Sequence, residues 1–213
     1  MDLERVLASI KTEIENDDSI RERTLPLARE AVRKCGESVK WAHKGDFTNA
    51  SRLLQDCREI LARADDEVAH SKYMSDSRIL DAAYQELAEA TNVVSLLKED
   101  SFSSPSESGI PSRPYLTGLA DAVGELRRAV LDALRADNIA RAERLLELME
   151  QILDGLLAFD FPNALIPDLR RKCDVARSIV ERTRGDLTAG VQQTKLVGEL
   201  KKFEERVKDG RKR

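Results

Sequence analysis

The segment that decides the fold is residues 114–136, which read PYLTGLADAVGELRRAVLDALRA. Its apolar side chains recur every three or four residues, the spacing that places them on one side of an α-helix. Pro114 stands where the first turn of a helix tolerates proline. The segment therefore predicts a long amphipathic helix whose buried side is formed by Leu116, Leu119, Val123, Leu126, Val130 and Leu134.

The same helical spacing extends over nearly the whole chain. Turn and cap residues such as Gly45–Asp46 and Asp137–Asn138 separate the periodic segments. We therefore expect an all-α protein, a single bundle of about seven long antiparallel helices that forms one domain over residues 1–213. The individual helices are predicted near 2–15, 19–44, 47–70, 76–98, 114–136, 139–158, 166–188 and 191–208.

The composition excludes several other classes of protein. Among 213 residues there are 35 Lys plus Arg and 39 Asp plus Glu, and the net charge is −4. The apolar fraction of 41% is too high for a disordered chain. One Trp, three Tyr and five Phe are few for a β-sandwich or barrel. The mild acidity argues against a surface that is basic all over, but it permits a local basic groove.

Two segments lack the helical pattern. Residues 99–113, EDSFSSPSESGIPSR, are rich in Ser and Pro and predict a flexible surface loop. The C-terminal residues 209–213 are predicted to be frayed.

The sequence also bears on the compartment. No apolar run approaches the ~20 residues that cross a bilayer, and residues 1–18 carry acids where a signal peptide has a basic head. The three cysteines, Cys35, Cys57 and Cys173, are widely spaced and form no zinc motif. We expect a cytoplasmic protein without membrane contact, whose cysteines are small core residues.

Acidic residues occupy the outer side of two consecutive predicted helices. Glu86 and Glu89 lie three apart on helix 76–98, and Asp121 and Glu125 lie four apart on helix 114–136. Arg78 and Gln85 are predicted to share the outer side of helix 76–98 with Glu89. Two carboxylates 4 Å apart repel by ~4 kcal/mol at an effective dielectric of 20. If the pairs meet, a Mg²⁺ or Mn²⁺ ion would relieve this repulsion and could activate water. Gly118, one turn before Asp121, is expected to leave room for a ligand.

Spacing alone favours a simpler interpretation of these acids. Similar pairs occur elsewhere, for example Glu143 and Glu147, and Glu125 could form an ion pair with Arg128. A solvated, salt-bridged surface is therefore the competing hypothesis.

A basic stripe follows one side of helix 19–44. It consists of Arg29, Arg33, Lys40 and Lys44, which lie within roughly 60° of one another around the helix. Such a stripe could follow a phosphate backbone, although Glu30 and Glu37 beside it are equally typical of a solvated face. The only tryptophan, Trp41, lies near the basic edge, where it could stack on a base, but packing against a neighbouring helix is favoured.

Four segments stand out together by their order and spacing. They are Leu27–Asp46 (LAREAVRKCGESVKWAHKGD), Arg78–Ala90 (RILDAAYQELAEA), Tyr115–Arg128 (YLTGLADAVGELRR) and Leu169–Thr188 (LRRKCDVARSIVERTRGDLT). With them the chain resembles the translin/TRAX family from about residue 5 to residue 190. Tyr115–Arg128 resembles the family's signature helix, above all that of the TRAX branch.

The resemblance implies a fold, an assembly and an activity. Family members are all-α bundles of about seven helices that assemble into hollow, roughly octameric shells around RNA or single-stranded DNA. The TRAX branch is a metal-dependent endoribonuclease with a Glu-x-x-Glu on one helix and an Asp-x-x-x-Glu on the next. Here these acids correspond to Glu86, Glu89, Asp121 and Glu125, and a homo-octamer is expected, as for a prokaryotic member.

We therefore predict an endoribonuclease that uses Mg²⁺ or Mn²⁺ held by these four acids. Arg29, Arg33, Lys40 and Lys44 would position the RNA backbone, and Arg78 would contact a phosphate. One alternative is a shell that binds RNA or single-stranded DNA without cleaving it. A less favoured alternative is a metal-binding regulator like the PhoU proteins, which should show two similar three-helix halves.

Overall fold

The computed structural model describes residues 2–210, and these residues are helical almost throughout. This confirms the predicted all-α class, and no strand occurs in the described range. Within it no helix has both the length and the apolar character that crossing a membrane requires. The eight helices of this range are α1 (Leu3–His43), α2 (Phe47–Val68), α3 (Lys72–Asp76), α4 (Asp81–Glu99), α5 (Pro105–Ser108), α6 (Ser112–Arg135), α7 (Ile139–Leu157) and α8 (Leu169–Gly210).

Two predicted helix breaks are wrong. The helices predicted over 2–15 and 19–44 form the single helix α1, which continues through Pro26, and those over 166–188 and 191–208 form the single helix α8. The gaps between the predicted helices hold Asn16, Asp17 and Asp18 in the first case and Gly190 in the second, and none of these residues ends the helix. One interior glycine costs a helix only ~1 kcal/mol, which packing along the rest of a long helix can outweigh.

One predicted helix begins later than expected. The segment predicted as helix 76–98 contains a turn in which Arg78 has a φ of 59°, and α4 starts only at Asp81. A left-handed residue interrupts the i to i−4 hydrogen bonding, so α3 and α4 are separate helices.

Residues 99–113, predicted to be a flexible loop, contain the short helix α5 and the first turn of α6. The segment is anchored at Ser103, whose backbone N–H and hydroxyl both donate to Asn92 Oδ1, at 3.2 and 3.1 Å. Ile110 is buried in the core. At the other predicted irregular segment, 209–213, α8 continues to Gly210, and 211–213 lie outside the described residues.

The contacts divide the chain into two compact units, Met1–Ala122 and Val123–Arg213, and the single domain expected from the sequence stays a prediction. In the first unit α1 packs against α2 and α4, and α2 packs against α4. The core between these helices includes the fully buried side chains of Leu61, Leu87 and Val93. Cys35 and Cys57 also meet there, with their Sγ atoms 3.2 Å apart.

The second unit contains the end of α6 together with α7 and α8. Helix α7 packs against α8 through buried residues that include Leu145, Met149 and Val180. The Arg127 guanidinium on α6 donates to Thr183 Oγ1 and to Asp186 Oδ2 on α8, both at 2.8 Å. The unit boundary falls inside α6, so one uninterrupted helix belongs to both units.

Candidate functional site

The first pair of predicted acids lies on α4, a helix that is buried on most of its surface. Leu87, Ala88 and Ala90 are buried, whereas Glu86 and Glu89 are partly exposed. Cys35 on α1 lies near these two acids. A hydrogen bond with Cys57, burial, and the negative charges of Glu86 and Glu89 all raise the pKa of its thiol. The two carboxylates are therefore within electrostatic range of the buried side of α1.

Helix α6 runs antiparallel to α4 along a close contact. The Tyr115 hydroxyl lies 3.3 Å from Asn92 Oδ1, and three residues later Gly118 lies against Ala88 and Glu89. One turn further on, Gln85 Nε2 donates to Asp121 Oδ2 at 2.8 Å. Residues further along α6 thus contact residues earlier on α4, as expected for antiparallel helices. Asp121 of the second predicted pair consequently lies beside the helix that carries the first.

The close contact depends on the missing side chain of Gly118. A Cβ atom at this position would lie 2.3 Å from the carbonyl oxygen of Gln85 and 2.9 Å from the backbone nitrogen of Glu89. Both are backbone atoms, and they cannot rotate away from an added Cβ as a flexible side chain could. The prediction that Gly118 leaves room for a ligand is therefore wrong, because the space is filled by the backbone of α4.

Glu125 lies one turn beyond Asp121 on α6, in the unit that begins at Val123. Its carboxylate Oε2 is 3.7 Å from the Arg128 guanidinium, the ion pair that the competing hypothesis anticipated. Among the described residues, no three His, Cys, Asp or Glu side chains form a cluster that could hold a metal ion.

The basic stripe on α1 is exposed to solvent as predicted. Arg29, Arg33 and Lys40 are exposed on the side of α1 opposite its buried residues, and none of them forms an ion pair with another described residue. Lys44, the C-cap of α1, places its ammonium 4.7 Å from the ring centre of Trp41. Trp41 itself is 37% exposed, so most of its surface is covered while part of the ring stays accessible, and its packing against a neighbouring helix stays a prediction.

Arg78 does not lie on α4, contrary to the prediction that it shares a helix face with Gln85 and Glu89. It precedes α4 in the left-handed turn, and its Nε is 3.8 Å from Asp81 Oδ2.

Two residues of the site were not predicted as functional. Gln85 bonds Asp121, and Asn92 connects α4 to the segment before α6. The helical periodicity placed Gln85 on the same outer side as Glu89, which was the available signal. Asn92 occupies an apolar side of the helix, where only tertiary contacts show its role.

Comparison with known proteins at the level of sequence and of structure identifies one family. The sequence profile of the translin family matches residues 6–184. An uncharacterized protein of Methanocaldococcus jannaschii is 33% identical over 191 residues, which are 89% of this chain and 84% of that protein.

Solved structures are similar as well. AfC3PO has a TM-score of 0.80 at 31% identity, covering 88% of this chain and 97% of that chain. The complex of AfC3PO with duplex RNA has a TM-score of 0.78 at 32% identity, with the same coverage. Apo-NeC3PO, at 21% identity and a TM-score of 0.71 over 89% of this chain and 97% of its own, shares the fold.

Proposed function

The chain belongs to the translin family, and we propose that it binds RNA and cleaves it as a metal-dependent endoribonuclease. RNA binding is supported by AfC3PO, which is 32% identical and has been solved with duplex RNA. The observation that carries the catalytic proposal is the contact between α4 and α6. There Gln85 holds Asp121 beside the helix that bears Glu86 and Glu89.

The donor set fits a hard divalent cation such as Mg²⁺ or Mn²⁺. Carboxylate oxygens are the ligands these ions prefer. Mg²⁺ keeps several waters and is usually held by one or two carboxylates together with substrate phosphates. Not every acid of such a site needs to contact the ion directly, because some can bind its waters instead. We propose that Glu86, Glu89, Asp121 and Glu125 hold the ion. When bound, it supplies an activated water and neutralises charge on the phosphodiester.

The chain's own residues orient this site and position the RNA. The Gln85 amide fixes one oxygen of Asp121 by a hydrogen bond, which limits rotation of the carboxylate. Arg29, Arg33, Lys40 and Lys44 would contact phosphates along the exposed side of α1, and Arg78 would contact a phosphate near the start of α4. Contacts of this kind give affinity without distinguishing bases, so we expect broad sequence tolerance.

Cleavage of a labelled single-stranded RNA tests the proposal. We expect cutting with Mg²⁺ or Mn²⁺, none with EDTA, and a loss of about 100-fold or more in Glu89→Gln and Asp121→Asn, because each variant removes a charge from the reacting centre. Glu143→Gln is the matched control. It removes an exposed acid of α7 with the same helical spacing and should cut like the parent. Equal rates in all three variants would show that the acids have been assigned wrongly.

A non-catalytic shell that binds RNA or single-stranded DNA is the second candidate. The ion pair between Glu125 and Arg128 favours it, because one of the four acids already has a cationic partner. This candidate predicts salt-dependent RNA binding with no cleavage in either metal. The regulator resembling PhoU has no support from the comparisons, which match the translin family over residues 6–184.

We further propose that the protein forms a homo-oligomer, an octamer as in the family, and is cytoplasmic. Apolar side chains remain exposed at the free ends of two long helices, which supports burial between subunits. They are Leu3, Leu7, Ile10 and Ile14 on α1, and Leu196, Val197, Leu200 and Phe203 on α8. The three cysteines are unpaired, as is usual in a reducing compartment.

A further inference from the structure

A cavity of about 500 Å³ opens on the first unit between α2, α4 and the segment 101–108. Its lining is unusually polar for a space beside the core. It includes Arg58 on α2, Thr91 on α4, Phe102, and serine hydroxyls such as those of Ser51 and Ser95. The volume lies within the range of small-molecule sites, which are about 300–1,000 Å³.

Two polar atoms in the lining have no hydrogen-bond partner among the described residues. They are the buried Nε of Arg58 and the Oγ1 of Thr91, whose side chain is 6% exposed. A buried donor without a partner costs about 1–3 kcal/mol. Both atoms belong to residues that face the same cavity. A ligand that accepts hydrogen bonds would remove this cost once small rotations of the Arg58 and Thr91 side chains turn these covered atoms toward it.

Arg58 is the one cation of this lining that does not form an ion pair with another described residue. The other cation, Lys98, lies 2.5 Å from the carboxylate of Glu99, and the acids Glu99 and Glu107 are exposed at the rim. The interior therefore offers a guanidinium and hydroxyl groups, a combination that suits phosphate oxygens.

The cavity is separate from the acidic site. On α4, Thr91 is two residues from Glu89 and five from Glu86, which places it about 140–160° away around the helix axis. A ligand bound here would not meet those carboxylates.

We propose that the cavity binds a nucleoside monophosphate. The phosphate accepts hydrogen bonds from Arg58 and Thr91, and the base stacks on Phe102, which is 43% exposed at the cavity. Stacking of a base on an aromatic side chain contributes about 1–3 kcal/mol. This proposal concerns binding and does not depend on RNA cleavage.

Calorimetric titration of the purified full chain tests it, with AMP, adenosine and inorganic phosphate as separate probes. We expect saturable AMP binding, tighter than that of phosphate or adenosine alone. Arg58→Gln and Thr91→Val should each weaken AMP binding, the first by about tenfold or more because a charge-assisted hydrogen bond is lost. Phe102→Ala should weaken AMP binding about tenfold and leave phosphate binding unchanged.

Arg63→Gln is the matched control. It removes an exposed positive charge of the same helix outside the cavity and should bind AMP like the parent. Circular dichroism establishes that each variant is folded. The proposal is overturned if AMP does not bind, if AMP and phosphate bind equally, or if Arg63→Gln weakens binding as much as Arg58→Gln. Thr91→Val preserves shape, so unchanged AMP binding in both it and Arg58→Gln would also overturn the proposal.

Discussion

At the scale of the single residue, Gly118 has the least room for a side chain among the glycines of the described range. We predict that Gly118→Ala destabilises the protein by about 1–3 kcal/mol or more, because its Cβ would lie 2.3 Å from the Gln85 carbonyl oxygen and force α4 and α6 apart. Gly124→Ala on the same helix has no atom within 4 Å of the added Cβ and should stabilise by about 0.5–1 kcal/mol. Urea denaturation of both variants and the parent measures these changes in the free energy of unfolding. Equal effects would contradict the close contact.

Cys173 gives a second prediction at this scale, concerning pH. Burial raises the pKa of its thiol. The unfolded chain therefore loses this proton first as pH rises. The thiol's contribution to stability is fully present below the unfolded pKa of about 8.5 and is lost as pH rises above it.

We expect the stability difference between the parent and Cys173→Ala to shrink from pH 8 to pH 10. Urea denaturation at several pH values gives this difference directly. A difference independent of pH would mean that the thiol ionises equally in both states.

At the scale of the element, periodicity predicted the helices well and their ends poorly. The spacing of Leu116 to Leu134 gave the correct type and almost the correct bounds for α6. The break expected at residues 16–18 does not exist, and the turn at Arg78 was missed. Helix ends depend on single residues whose conformation is decided by tertiary contacts, and these are absent from a local pattern.

The hydrogen bonds of Tyr115 at the contact between α4 and α6 are one such tertiary contact, and they give the third prediction. The Tyr115 hydroxyl lies 2.5 Å from the Ser103 carbonyl oxygen and 3.3 Å from Asn92 Oδ1. We predict that Tyr115→Phe lowers stability by about 1–2 kcal/mol, because the partly buried Ser103 carbonyl oxygen loses this donor, whereas Asn92 Oδ1 keeps its two donors on Ser103. Tyr73→Phe, at a side chain that is 70% exposed, should change stability by less than about 0.5 kcal/mol. Thermal unfolding followed by circular dichroism distinguishes the two outcomes.

At the scale of the whole molecule, the sequence could place the acids on helices but could not bring the helices together. Glu86, Glu89 and Asp121 each lie on the helix that periodicity assigned to them. Their juxtaposition depends on Gly118 and on the bond from Gln85, and neither contact can be inferred from spacing on one helix. The family resemblance supplied the expectation that the four acids share one site, which stays a prediction, and the translin match confirms the family.

The assembly gives the last prediction. Leu7, Ile10 and Ile14 on α1 and Leu200 and Phe203 on α8 are between 48% and 63% exposed. Burial of apolar surface lowers the free energy by about 25 cal/mol for each Å² removed from water. An interface between subunits that covers these side chains would therefore be stabilised. We expect light scattering to show a homo-oligomer, and charged substitutions such as Leu7→Glu with Ile14→Glu to reduce its mass.

The control for this experiment also changes charges on α1, but it leaves the exposed apolar side chains in place. Lys11→Glu with Glu15→Lys alters exposed polar positions of the same helix and should leave the assembly intact. RNA cleavage measured on the same preparations then separates two causes of inactivity. If a smaller species still cuts RNA, each subunit carries a complete site. If the variants that no longer assemble also no longer cleave RNA, RNA binding needs surfaces from several subunits. A parent protein that is monomeric at every concentration would contradict the predicted oligomer.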